Sequence, residues 1–139
     1  AYQHHLTIIS ISCSFFLLLL REKSRNMAEY STCPVRQVIS KFGNKWSILI
    51  LYSLHTSERG ILRFNELRLL IPDCSPKMLS ATLKSLEQSH LIHREIYPVV
   101  PPKVEYSLTT TGHSLMPVIM ALIEWADQHF DEIVTKKNF

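Results

Sequence analysis

The sequence predicts a mainly helical domain with one small β-hairpin, an α+β arrangement, and three observations carry that expectation. After residue 33, apolar residues recur at three-to-four spacing in segments bounded by Gly, Pro, Ser and Thr, which is helical patterning with its usual stops. One later stretch, KVEYSL, alternates with period two and faces another β-rich stretch across a proline-rich connection. A length of 139 residues at 16.1 kDa suits one hydrophobic core and is short for two.

The N-terminal stretch stands apart from this pattern. Leu6 to Leu20 is an apolar run of 15 residues interrupted by one Thr and three Ser, below the ~20 needed to span a bilayer. Its cationic residues, Arg21, Lys23 and Arg25, follow the apolar core, whereas a secretory signal carries them in front. Residues 1–26 are therefore expected to be a leader or a misassigned start outside the fold, with a membrane anchor as the competing reading. Residues 27–139 are expected to form the folded domain.

The elements follow in order. Pro34 suits a first helical position, and Val35, Val38, Ile39 and Phe42 form an apolar stripe that Gly43 ends. Lys45 to Leu54 is apolar nearly all round and should be a buried second helix. Ile61 to Arg63 reads as a very short strand, and Phe64 to Leu70 as a third helix with Phe64, Leu67 and Leu70 on one side. Ser75 is a cap and Pro76 a first-turn residue for a fourth helix, whose buried face is expected to carry Met78, Leu79, Leu83 and Leu86. Its opposite face carries Lys77, Ser80, Ala81, Lys84, Ser85 and Gln88. These side chains are small or hydrogen-bonding, so that face can approach another surface closely.

Ile92 to Tyr97 and Lys103 to Leu108 are the two strands of the hairpin. The three prolines between them cannot donate ladder hydrogen bonds, and they preset an extended tip. A helix pair followed by a hairpin bearing Arg94 and Lys103 is the order of a winged helix-turn-helix, with the hairpin as the wing. A last helix is expected from Thr110 or Thr111 to about Lys136, with Pro117 in its first turns. Its stripe of Leu115, Val118, Ile119, Leu122, Ile123, Ala126 and Phe130, with Trp125 beside it, is broader than a small domain covers. A second copy of the chain is the natural cover, and packing back on the first helix is the alternative.

Charge points to the partner. From Arg36 to Lys103 there are ten Lys or Arg against five acids, a net +5, whereas Val104 to Phe139 has two against five, a net −3. A basic middle of this kind suggests a surface for nucleic acid, with a solvated basic face that has no partner as the alternative. Three glycines, far apart, exclude both the GxGxxG turn and the GxxxxGK phosphate loop. Cys13, Cys33 and Cys74 form no CxxC pair and suit a reducing cytoplasm. His90 and His93 are close in sequence, yet no nearby residue completes a metal set, so they are expected to be a helix cap and a solvent-facing strand residue. Neither a metal nor another cofactor is expected. No oriented acid–histidine pair supports Cys33 or Cys74 as a catalytic nucleophile, and the chain is not expected to be an enzyme. Cys33 does precede a helix start, where unpaired N–H groups favour a thiolate; an inert half-buried thiol is the alternative.

Six segments in this order resemble the HxlR family of bacterial transcription regulators, relatives of the MarR group. They are Cys33-Pro34-Val35, Gly43-Asn44-Lys45-Trp46, Arg63-Phe64-Asn65-Glu66-Leu67, Ser75-Pro76-Lys77-Met78-Leu79, Leu83-Lys84-Ser85-Leu86-Glu87 and Tyr97 to Thr109. The resemblance implies a dimeric DNA-binding regulator built through its first and last helices, and a cysteine at the Cys33 position that senses oxidants or electrophiles in some members. Two departures stand out: Asn44 occupies a position that is often Gly, and His90 stands where the family has a helix-ending Gly.

The expected DNA-contacting residues are Lys45, Arg63, Ser75, Pro76, Lys77, Ser80, Lys84, Arg94, Pro101, Pro102 and Lys103. The expected dimer contacts are Val35, Val38, Leu115, Val118, Ile119, Leu122, Ile123, Trp125 and Phe130. The expected partners are double-stranded DNA carrying an inverted-repeat operator and a second copy of the chain, with no membrane, in the cytoplasm at the nucleoid. A winged-helix module that binds protein in place of DNA is the alternative function.

Overall fold

The computed structural model describes residues 34–134, so the expectations for residues 1–26, Cys13 and Cys33 lie outside the described residues. The described elements are α1 (Pro34–Phe42), α2 (Lys45–Thr56), β1 (Ile61–Arg63), α3 (Phe64–Leu70), α4 (Pro76–Gln88), β2 (Ile92–Tyr97), β3 (Lys103–Leu108), α5 (Thr110–Gln128) and α6 (Phe130–Ile133). A division between two compact units falls between Val38 and Ile39, within α1, and the second unit holds the sheet and every later helix. Among the described residues, no helix is long and apolar enough to cross a membrane.

Local chemistry sets the helix limits. Helix α1 ends at Phe42, and a side chain at Gly43 would meet the Ile39 carbonyl oxygen at 2.7 Å, so glycine fits this exit. Asn44 then caps α2: its Oδ1 accepts from the Ser47 N–H at 3.0 Å, and its Nδ2 donates to Ser47 Oγ at 2.9 Å. A residue that departs from the family pattern thus satisfies one of the free N–H groups of the helix start. From α2, Ile50, Leu51 and Leu54 are fully buried and form the centre of the core with Leu67, Leu79, Leu83, Leu86, Met116 and Ile119. Leu49 stays exposed, so α2 is buried over most of its circumference and not all of it.

The three strands run antiparallel in the order β1-β3-β2. Glu105 of the central strand pairs with Arg63 on one side and Glu95 on the other, and Lys103 pairs with Tyr97. Residues 103, 105 and 107 therefore share one face with 93, 95 and 97, while Val104, Tyr106 and Leu108 share the other with Ile92, Arg94 and Ile96.

Helix α4 opens on Ser75, whose Oγ accepts from the Met78 N–H at 3.1 Å, with Pro76 at its first position. Its buried residues are Leu79, Thr82, Leu83 and Leu86. Met78 is a correction: it is 45% exposed, because at 100° per residue it lies about a quarter turn from the Leu79–Leu83–Leu86 line. Thr82 enters instead, donating its hydroxyl to the Met78 carbonyl at 2.8 Å. Leu70, expected on the inner side of α3, is likewise exposed; Leu67 alone of that helix is buried.

The end of α4 is a helix-ending double hydrogen bond around a left-handed residue. His90 has φ 57°, its N–H donates to the Glu87 carbonyl at 3.0 Å, and the Leu91 N–H donates to the Leu86 carbonyl at 3.1 Å. Histidine tolerates this conformation better than most residues with a β-carbon, and the cap survives where the resemblance implies glycine. Leu91 then reaches across to the start of α5. The Thr109 N–H donates to the Leu91 carbonyl at 3.1 Å, the Thr109 hydroxyl donates to the His90 carbonyl at 2.6 Å, and Thr109 Oγ1 accepts from the Gly112 N–H at 3.0 Å.

The last helix is shorter than expected. Helix α5 ends at Gln128, His129 turns the chain, and α6 adds one turn, in place of a single helix to about Lys136; residues 135–139 lie outside the described residues. Pro117 lies inside α5 without ending it.

Gly112 is required by close approach. A Cβ there would overlap the Leu91 carbonyl oxygen, a backbone atom that cannot swing away. Gly112→Ala is expected to lower stability by about 1–3 kcal/mol through forced backbone displacement, read as a lower urea midpoint; an unchanged midpoint would mean that α5 does not seat on this turn.

Candidate nucleic-acid interface

The outer face of α4 follows from helical geometry. Lys77 and Lys84 are seven residues apart, about 20° in azimuth and roughly 10 Å along the axis, so they lie on one line opposite the buried stripe. Both are exposed, as are Ser80, Ala81, Ser85 and Gln88 between and beside them. Neither lysine has an ion-pair partner among the described residues. Ser75 and Pro76 are exposed at the start of this helix, with the Ser75 oxygen engaged as the cap. Lys45 is exposed at the start of α2, its ammonium 4.2 Å from the centre of the Trp46 ring.

The wing divides its cations. Pro101 and Pro102 are exposed at the tip. Arg94 and Lys103, both expected on the wing, project on opposite faces of the hairpin, because Arg94 pairs with Tyr106 and Lys103 with Tyr97. Lys103 Nζ lies 2.7 Å from Glu105 Oε1 and 4.8 Å from the centre of the Tyr97 ring. Arg63 Nε approaches the same Glu105 oxygen at 3.6 Å, while the Arg63 N–H donates to Glu66 Oε2 at 2.7 Å at the start of α3. The hydrogen bond from Lys103, aided by the charges of Lys103 and Arg63, holds the Glu105 carboxyl below the usual carboxylate range, although burial opposes this. Sequence alone did not single out Glu105. The Lys103-Glu105 spacing on an alternating strand was the available signal, since residues two apart share a face.

Of the two cysteines considered for reactivity, Cys33 lies outside the described residues. Cys74 is buried; burial first, and then Asp73, push its thiol up, against the lowering influence of Lys45. Desolvation thus opposes the thiolate that its place before α4 would favour. It lies in the wall of a cleft of about 540 Å³ between α3 and the start of α4, beside Arg68 and Leu69. His90 is the helix cap described above, and His93 is exposed on β2.

The residues expected at a dimer contact separate into three groups. Ile119 is a correction: it is 2% exposed and packs in the core of its own domain, which removes it from an outer surface. Leu115 and Ile123 are half-buried against the same core. Val118, Leu122, Trp125 and Phe130 are exposed, as are Val35 and Val38 on α1. Trp125 stacks on His129 with ring centres 4.5 Å apart.

Comparison with known proteins gives a consistent result. The profile of the HxlR-like helix-turn-helix family matches residues 41–134. The HTH-type transcriptional regulator YdeP of Bacillus subtilis is 42% identical over 105 residues, spanning 76% of this chain and 80% of YdeP. Among solved structures, the redox regulator HypR in its oxidized form superposes with a TM-score of 0.63 at 40% identity, covering 69% of this chain and 96% of HypR. The transcriptional regulator YtfH of Salmonella typhimurium gives 0.70 at 35% identity, covering 82% and 98%. A family match over residues 41–134 and a relative 42% identical over 105 residues agree, and the chain belongs to the HxlR-like helix-turn-helix family of transcriptional regulators.

Proposed function

We propose that the chain acts in the cytoplasm, at the nucleoid, as a homodimeric regulator that binds an inverted-repeat operator, with α4 in the major groove and the hairpin reaching flanking phosphates or the minor groove. The observation that carries the reading is the outer face of α4, where two lysines without an acidic partner among the described residues stand on one line among side chains too small to hold a duplex away. Ser75, Pro76, Lys77, Ser80 and Lys84 are nearest the bases or phosphates in this reading, Lys45 and Arg63 flank them, and Arg94, Pro101, Pro102 and Lys103 belong to the wing. Because Arg94 and Lys103 lie on opposite faces of the hairpin, they contact different strands or only one of them contacts DNA.

The dimer contacts proposed are Val118, Leu122, Trp125 and Phe130 on α5 and α6, with Leu115 and Ile123 beneath them, and, separately, Val35 and Val38 on α1. Six large apolar side chains about half exposed or more on one C-terminal segment, Val118, Leu122, Trp125, Phe130, Ile133 and Val134, exceed what scattered surface residues need. Two-fold symmetry then places the recognition helices about 34 Å apart, or a multiple of that, and the operator half-sites about ten base pairs apart or twice that. Redox or electrophile control through Cys33 is part of the proposal. It draws on HypR, a redox regulator 40% identical to this chain, and on the position of Cys33 directly before Pro34, where α1 starts.

Three measurements check these statements. Lys77→Ala and Lys84→Ala are each expected to weaken binding to an operator selected from the source genome and to flatten the log-log salt dependence by about 0.9 for each phosphate no longer neutralised. Unchanged affinity and slope in both variants would remove α4 from the DNA. Leu122→Asp places a charge on the exposed stripe without entering the core and is expected to sediment as a monomer with reduced operator affinity. A dimer at micromolar concentration would move the interface elsewhere. Mild oxidant is expected to change the DNA affinity of the wild type and of Cys74→Ser while leaving Cys33→Ser unaffected; an equal response in Cys33→Ser would end the sensor assignment.

A further inference from the structure

The base of the wing and the start of α3 meet at one carboxylate. The Glu105 side chain is 11% exposed on the central strand, and its Oε1 takes both Lys103 Nζ at 2.7 Å and Arg63 Nε at 3.6 Å. The two cations come from different elements: Arg63 ends β1 directly before α3, and Lys103 opens β3 at the foot of the proline tip. Their side chains are 49% and 34% exposed. The carboxylate therefore lies inside and the cations outside. Without it, two positive groups at this separation would repel each other. With it, the trio carries a net charge of +1, with the exposed Glu95 across the ladder from Glu105 on the same face, and both cations keep part of their N–H donors at the solvent. A phosphodiester carries one negative charge on two free oxygens and takes charge-assisted hydrogen bonds from Arg and Lys.

Resting on the DNA-binding reading above, we infer that Glu105 is a positioning residue that holds Arg63 and Lys103 together as a two-pronged clamp on a single backbone phosphate of DNA. In helix-turn-helix docking the first helix of the motif crosses the DNA backbone, and Arg63 immediately precedes that helix. The clamp couples the wing to the helix pair: the same phosphate is gripped from β1 and from β3, so the hairpin cannot tilt without losing it. A carboxylate that only screened the two cations would act oppositely, since its removal would strengthen binding to a polyanion.

That opposition supplies the test. Glu105→Gln raises the net charge by one, yet operator affinity is expected to fall and its salt dependence to flatten by up to about 0.9. Tighter or unchanged binding by a folded Glu105→Gln protein overturns the inference. If the variant loses its helical circular dichroism, the partially exposed residues Arg63 and Lys103 decide the matter through Arg63→Gln, Lys103→Gln and the double variant. One shared phosphate requires the double variant to lower the slope by about 0.9 in total; a decrease near 1.8 means two separate phosphates, and no decrease means that neither residue touches DNA. Both of those results overturn the clamp while wild-type binding stands. Failure of the wild type to bind any duplex at low salt would instead overturn the DNA-binding reading beneath it.

Discussion

The orientation of the proposed reading surface depends on one carbonyl group, that of Leu91. It accepts from the Thr109 N–H, while the neighbouring His90 carbonyl takes the Thr109 hydroxyl, and the backbone of Gly112 rests against it. Leu91 is also the second residue after Ser89, the cap of α4, and its N–H closes the last turn of that helix. Three elements are thereby referred to one point: the end of α4, the exit from β3 and the first turn of α5. Each hydrogen bond contributes only about 0.5–1.5 kcal/mol net, so their importance is geometric. They set the direction in which α4 presents Lys77 and Lys84 relative to the wing on one side and to the exposed stripe of α5 on the other.

Charge is distributed accordingly. The basic middle of the chain is not a uniformly positive surface. Arg59 pairs with Glu66 at 3.0 Å, and Arg63 and Lys103 are shared by Glu105, whereas the lysines of α4 have no acidic partner among the described residues. Half-exposed ion pairs of this kind add little to stability, since solvent screens them and holding long side chains costs entropy. They organise where positive charge is available. Along β2 and β3 the ladder puts Glu95 directly across from Glu105, a like-charge pair that Arg63 and Lys103 offset.

Two residues, Asn44 and His90, stand where the resemblance implies glycine. Asn44 caps α2 with its own side chain, which a glycine lacks, and His90 accepts a left-handed conformation that glycine would enter without strain. The first substitution adds a hydrogen bond at a helix start; the second carries a backbone cost that the buried contacts of Leu86 and Leu91 offset.

The start of α4, the short first strand, the hairpin and the outer face of α4 were legible in the sequence, because caps, prolines and apolar spacing are local signals that act within a turn or two, whereas the end of α5 at Gln128 was not. Ser75 and Pro76 each mark a boundary by satisfying or lacking one N–H group, and no tertiary contact is needed to see it. What only the tertiary structure decided concerns residues whose role depends on what lies opposite. Ile119 and Val118 are neighbours on an apolar helix, yet one is sealed in the core and the other exposed, since α2 covers only one side of α5. Met78 and Thr82 exchanged places for the same reason. Arg94 and Lys103 read alike in sequence and are parted by strand register, which depends on the pairing of β2 with β3. Glu105 gathers Arg63 across 42 positions of sequence, a contact that no local pattern encodes. Local hydrogen-bonding chemistry is written in adjacent residues, whereas burial and charge pairing belong to surfaces that exist only once distant segments have met.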